Sequence, residues 1–339
     1  MRAFLKSARR WLPGALVSIL LIAAILYFVD LSQVVSAIRS ANYSLLAAAG
    51  VLAFVWMFVR AIVWRTLLRD RPSYRDTMLA LSEGYLLNNF LPFRLGEIGR
   101  AFVLSRRSGL PFSEILPTIV IERAIDLFFS AVIFLGALPF VIGAGEAGRI
   151  AMVAGAIIIL GIVCLYVLAR NRQPALDVFH RWSARWKKLQ HHGGGLLESF
   201  LTGLGVLTDG WLFARFLFWM AINWGMAIVN YTVMMLAFFP QTQVAWGMFG
   251  LGAAAFGGAV PSLPGAVGTF EGAIAGALTL LTGDQSTSLA VALTARFFSY
   301  LTSIVLGGYA LSREGQTLSG IYQQLVNLRT RGQSNDPAV

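Results

Sequence analysis

Neither Leu12–Val29 nor Tyr43–Val59 contains a charged residue. Apolar runs of roughly 17–25 residues are what a helix needs to cross a bilayer core. Comparable runs follow at Ile115–Ile142, Ile150–Ala169, Phe213–Phe239 and Leu289–Leu311. The whole chain is 57% hydrophobic and 13% charged, with mean hydropathy +0.69. A soluble domain carries about twice that share of charge. The expected fold class is therefore an all-α polytopic membrane protein with about six to eight transmembrane helices.

The net charge of +11 is clustered in "MRAFLKSARR", "WRTLLRDRPSYR", Ser105–Arg107 and "RWSARWKK". These clusters flank apolar spans, which excludes nucleic-acid binding and marks them as cytoplasmic loops by the positive-inside rule. Both termini are then cytoplasmic, in a multi-pass protein of the cell's inner (cytoplasmic) membrane. Asp30–Asn42, with Arg39 as its one cation, reads as an outer loop. In Arg170–His192, Leu176, Phe179, Trp182, Trp186 and Leu189 recur at three- and four-residue steps among Arg181, Arg185, Lys187 and Lys188. That pattern suits a helix in the headgroup layer, or else a soluble helical linker. The chain divides into a membrane domain, residues 1–315, and a cytoplasmic tail, 316–339, partly disordered. Within the domain, a half at about 43–145 and a half at about 213–311 are joined by the amphipathic linker 170–212.

Cys164, inside an apolar run, reads as a small core residue. His180, His191 and His192 share one basic loop without metal-ligand spacing, and there is no P-loop, so no metal or cofactor is expected. Asn223 and Asn230 lie two turns apart on one face of their span, a placement that suits contact between helices or, alternatively, contact with a substrate.

Two segments do not fit simple spanning. Met78–Arg107 breaks at "FLPFRLGEIGR", and Val244–Leu281 breaks at "VPSLPGAVGTFEG". Both read L-P-x-x-x-G and then a glutamate, Glu97 or Glu271. Arg123 lies 31 residues after Pro92, and Arg296 lies 32 after Pro264. Basic flanks start the first segment inside and the second outside, so two re-entrant hairpins would form an inverted repeat. Two short crossing helices, Trp246–Val260 and Ala266–Leu281, are the rival count, and loop charge leaves both open. Pro92, Gly96 and Gly99 in one segment, and Pro261, Pro264, Gly265 and Gly268 in the other, are the expected helix breaks.

Glu122, Arg123 and Asp126 fall inside a span at spacings that can share a face. Asp126 is roughly 13 Å along the helix from Pro117, too deep for a short acid to reach water easily. The trio is either a structural ion pair or an acid–base cluster on a polar pathway. Arg60, eight residues before the end of its span, reads as a snorkelling arginine.

"NNFLPFRLGEIGRAFVLSRRSGL", "ERAIDL" and "PSLPGAVGTFEGAI" resemble the lysylphosphatidylglycerol synthase transmembrane region family, the flippase-like domains, over about residues 10–315. In bifunctional relatives that resemblance implies movement of an aminoacylated lipid between leaflets, with a soluble aminoacyl-transferase domain following. This sequence stops at Val339 without one, so synthesis of lysyl-lipid is not expected of it. Stand-alone relatives are associated with envelope lipids, polyprenyl-linked sugars and hopanoids.

The expected function is translocation of an anionic, aminoacylated or polyprenyl-type lipid headgroup, its lipid an anionic phospholipid or a polyprenyl-phosphate type, with no catalysis. Arginine suits phosphate because its planar fork holds two oxygens. Asn88, Asn89, Arg94, Glu97 and Arg100 would line a polar cavity opposite Pro264, Gly268 and Glu271, with Glu122, Arg123, Asp126 and Arg296 completing it. A membrane-embedded enzyme on a lipid phosphate would need a nucleophile or metal cluster that the spans lack. A non-catalytic partner of an envelope-biosynthesis enzyme and a small-solute transporter remain as alternatives.

Overall fold

The computed structural model describes residues 18–23, 27, 29–90, 95–142, 209–260 and 262–314. It adds residues 170–183 and scattered helical positions between 156 and 201. Most of the expected span at Ile150–Ala169, the loop before it, most of the first span and the tail beyond 314 lie outside these, as do Pro92, Arg94 and Pro261.

Among the described residues every regular element is helical. The elements are α1 (Leu31–Ser40), α2 (Tyr43–Leu67), α3 (Tyr74–Phe90), α4 (Leu95–Ser108), α5 (Phe112–Ile142), α6 (Arg172–Ser183), α7 (Gly210–Leu236), α8 (Val244–Ala259), α9 (Thr269–Thr282) and α10 (Gln285–Glu314). Among the described residues, five segments are long and apolar enough to cross a membrane: Tyr43–Leu67, Phe112–Val141, Gly210–Leu236, Pro264–Thr282 and Gln285–Arg313. The chain is an all-helical multi-pass membrane protein.

The packing is reciprocal. α3 lies against α4, and α8 against α9. Each of these short pairs is then gripped by the long helix of the other unit: α3 by α10, and α8 by α5. α2 and α7 pack on each other where the units meet. There the side-chain amide of Asn230 donates to the Ala49 carbonyl (3.3 Å), while Asn223 is buried on the same helix. The Asn230 amide is satisfied by protein rather than left facing lipid, whereas the Asn223 Oδ1 has no hydrogen-bond partner among the described residues.

Small residues set the close approaches. Gly96 and Gly99, expected to break the helix, lie inside α4 and are buried. A Cβ at Gly96 would collide with the Gly84 carbonyl and the Asn88 side chain, so this glycine lets α3 and α4 touch. In the other unit, a Cβ at Gly257 would meet Ala273 and the Thr269 carbonyl across the α8–α9 contact.

Two further expectations change. Asp30–Asn42 is not a plain loop. Asp30 caps α1 by accepting from the Ser32 N–H (2.8 Å), and Val34, Ala37 and Ile38 lie on the face turned to α10. Three- and four-residue spacing gives α1 one apolar face, and that face has a helix to cover. Cys164 is exposed rather than core, since an apolar surface in a bilayer does not have to turn inward. On α6, Leu176 is buried and Trp182 faces out; Trp186 and Leu189 lie outside the described residues.

Candidate functional site

Glu97 stands in the first turn of α4, where a carboxylate complements the positive end of the helix. Its Oε1 accepts from Arg123 Nη2 (2.6 Å) and from Asn88 Nδ2 (3.1 Å), while its Oε2 lies 2.7 Å from Arg100 Nη2. Arg100 continues to Glu122 (3.3 Å), and Glu122 also binds Arg60. Arg60 bonds Asp126 through both terminal nitrogens, one at 2.8 Å, and Asp126 returns to Arg123 at 3.3 Å. Three guanidiniums and three carboxylates from α2, α4 and α5 thus form one closed network. The sequence brings Glu122, Arg123 and Asp126 to one stretch of α5; the fold brings the other three to them.

The network is buried but has one open side. The side chains of Arg60 and Arg100 are 2% and 1% exposed, whereas Arg123 is 31% exposed. The Nε of each of the three arginines has no hydrogen-bond partner among the described residues. Trp64 backs the cluster, with the Arg100 guanidinium 4.6 Å from its ring centre and its indole N–H donating to Thr118 (3.0 Å). Gly84 leaves the room: a Cβ there would sit 2.7 Å from that of Arg100.

Arg60 corrects the snorkelling reading. An arginine about 11 Å from the end of its helix can reach the interface, so depth alone permits either reading. The two carboxylates on α5 decide it, because a buried acid without a cation is far more costly than an arginine held inside.

The second unit repeats the pair but not the network. Glu271, in the first turn of α9, accepts the Gly268 N–H at 2.8 Å and Arg296 Nε at 2.5 Å. Arg296 gives its remaining donors to backbone, reaching the carbonyls of Gly265 and of Ala266 (3.0 Å). Its guanidinium lies 4.2 Å from the Phe270 ring centre and 5.3 Å from that of Tyr300. The break it holds is one 3-10 turn, Pro264–Ala266, with positive φ at Gly265, Ala266 and Gly268.

The two breaks come close to each other. Asn89 donates to Ser303 Oγ on α10 (2.5 Å), and a Cβ at Gly265 would sit 3.5 Å from the Asn89 carbonyl. The charged groups do not meet in the same way. Among the described residues no ion pair links the Glu97–Arg123 cluster to Glu271–Arg296. A cleft of about 460 Å³ between α5, α8, α9 and Leu21 is walled by phenylalanines and alanines rather than by the expected guanidinium and carboxylate groups. Tyr300, Phe270, Ser303 and Trp64 were not expected at the site, and nothing in the local sequence separates them from ordinary span residues.

Residues 11–307 match the model of the lysylphosphatidylglycerol synthase transmembrane region. The chain belongs to that family. Proteins similar to it include glycosyltransferase AglD of Haloferax volcanii, 24% identical over 294 residues. That alignment covers 76% of this chain and 47% of AglD, so the chain spans about half of that relative's length. A UPF0104 membrane protein of Methanothermobacter thermautotrophicus is 22% identical over 325 residues, covering 92% and 96% of the two chains. Another UPF0104 membrane protein, from Methanocaldococcus jannaschii, is 26% identical over 133 residues, 38% of each. No solved structure matches the chain.

Proposed function

We propose that this family member moves the headgroup of an anionic membrane lipid between leaflets, and that the Arg60–Arg100–Arg123 cluster is where the phosphate is received. The observation that carries the reading is the exposure of Arg123 at the edge of an otherwise buried, charge-balanced network. An anionic headgroup faces a large desolvation cost in hydrocarbon. A preformed guanidinium fork replaces the lost water with two bonds to phosphate oxygens.

Glu97 occupies the place such an oxygen would take on Arg123. An arriving phosphate competes with it, and the balanced cluster then carries one negative charge in excess. Outward rotation of Glu97, or its protonation, restores the balance. The chain does this without catalysis.

The α3–α4 and α8–α9 pairs act as re-entrant hairpins of opposite orientation. α3, α4 and α8, at 14 to 17 residues, are about 21–25 Å long, short of the roughly 30 Å hydrocarbon core, and α9 reaches crossing length only together with the turn before it. Both termini lie on the cytoplasmic side of the inner membrane, as the basic loops require. Asn88 and Arg100 tune the cluster, and Asn89 joins the hairpins. Arg94, outside the described residues, belongs to the same pathway.

A second reading takes its support from the relative named as a glycosyltransferase. In it the chain is a membrane partner of an envelope-biosynthesis enzyme and presents, rather than moves, a lipid.

The test is reconstitution into liposomes with fluorescent anionic lipids, followed by dithionite quenching. Arg123→Ala is expected to abolish leaflet exchange, and Arg123→Lys to weaken it. Exchange that proceeds unchanged in Arg123→Ala sinks the headgroup reading and favours the second.

A further inference from the structure

The cleft beside α8 and α9 is not explained by the charged network. Phe134 of α5 and Phe249 and Phe256 of α8 form one wall, stacked (4.8 Å between centres) and edge-on (5.4 Å). Ala273 and Ala277 of α9 form the floor, where the missing bulk opens the space. Thr269 lies at one end and Leu280, 79% exposed, at the other. Eleven residues of helix separate those ends, so the cleft runs for about 16 Å, close to half of a roughly 30 Å hydrocarbon core. Its volume of about 460 Å³ is that of a small-ligand site.

The cleft also lies in register with the charged cluster. Phe134 follows Arg123 by eleven residues on α5, three helical turns, and so shares its face about 16 Å further along. Guanidinium at one level and an aromatic-walled trough at the next match an amphiphile with an anionic head and an unbranched tail.

We infer that this cleft binds one acyl chain of an anionic bilayer phospholipid, holding the tail while the head occupies the Arg123 cluster. This deepens the translocation reading by naming where the tail lies. Leaflet-length depth argues for an acyl chain over a polyprenyl chain, which would overrun both ends. Aromatic walls gain dispersion contacts with a methylene chain that neighbouring lipids, themselves mobile, do not supply.

The experiment uses the full chain in liposomes containing a phosphatidylglycerol with a diazirine in one acyl chain. After photolysis, labelled peptides are mapped by mass spectrometry. Peptides carrying Phe256, Ala273 and Leu280 should be labelled about tenfold above the exposed α2 face at Val51, Val55 and Phe58, a preference of about 1.4 kcal/mol. Ala273→Phe should remove the enrichment by filling the floor. Leu280→Ala, a mild surface change, should reduce it even if the first variant folds poorly.

Even labelling of both faces overturns the assignment. So does enrichment that an equimolar polyprenyl phosphate competes away, or a cleft found filled by the chain's own 150–169 segment. The labelling pattern does not depend on transport. Enrichment without leaflet exchange upholds the cleft and sinks the translocation reading, whereas exchange with even labelling does the reverse.

Discussion

The two units place a glutamate and an arginine at matching positions, yet they use them differently. In the first unit Arg123 is held, among the described residues, by the side chains of Glu97 and Asp126 alone, within a network of six charges. In the second, Arg296 binds the carbonyls of Gly265 and Ala266 as well as Glu271. A carboxylate can rotate away or take a proton; a backbone carbonyl in a strained turn can do neither. On the proposed reading, the same pair forms an exchangeable site in one half and a fixed strap in the other.

Substitutions can break that contrast. The largest effect is expected for Arg60→Ala, which strands Glu122 and Asp126 and should cost about 3–5 kcal/mol, read as thermal unfolding in detergent. If Arg60→Ala unfolds no earlier than the parent, the first network is not buried as described.

Arg296→Lys keeps the charge but loses the fork and the ring stacking, and should cost about 2 kcal/mol. Hydrogen exchange should rise around residues 263–270 while the first cluster stays protected. Arg123→Lys should do the opposite, lowering headgroup exchange with little change in unfolding temperature. Equal responses from these two lysine variants would erase the distinction between site and strap.

Ala266 adopts φ +56 within the strapped turn. Ala266→Gly should relieve about 1 kcal/mol, seen as a raised unfolding temperature that disappears in the Arg296→Lys background. The smallest effect lies outside both units, at the α1 cap. Bonds from the Ser32 hydroxyl and N–H hold the Asp30 carboxyl below its ordinary value. A depressed carboxylate stabilises the fold above its unfolded pKa and loses that contribution as pH falls through the folded one. The protection of the amides at residues 31–34, taken relative to intrinsic exchange at each pH, should fall slightly below pH about 4, and that fall should vanish in Asp30→Asn.

The sequence made some of this legible through spacing. Charge scarcity and run length gave α2, α5, α7 and α10 nearly to their ends, because a bilayer imposes one length scale. The parallel from Leu-Pro to glutamate to arginine singled out Glu97, Arg123, Glu271 and Arg296, and the fold joins them in pairs. Arg60 escaped because its partners lie more than sixty residues away, and its depth suits a snorkelling side chain equally well. Gly96 and Gly99 were misread since a glycine that ends a helix and one that lets two helices touch look alike in sequence. α1 was missed because its apolar face is short and becomes meaningful only beside α10. The contrast between exchangeable site and strap was out of reach, since backbone carbonyls leave no trace in residue identity.

The cross-grip between units has a consequence for how the protein is made. Asn89 of α3 finds its partner Ser303 214 positions later. At about 5–20 residues per second, the first hairpin waits roughly 10–40 s in the translocon's vicinity before its clasp emerges from the ribosome. During that interval its polar tip must be sheltered by an insertion chaperone or held back at the cytoplasmic surface. A ribosome stalled before residue 285 should therefore leave the first half open to protease while the finished chain resists it.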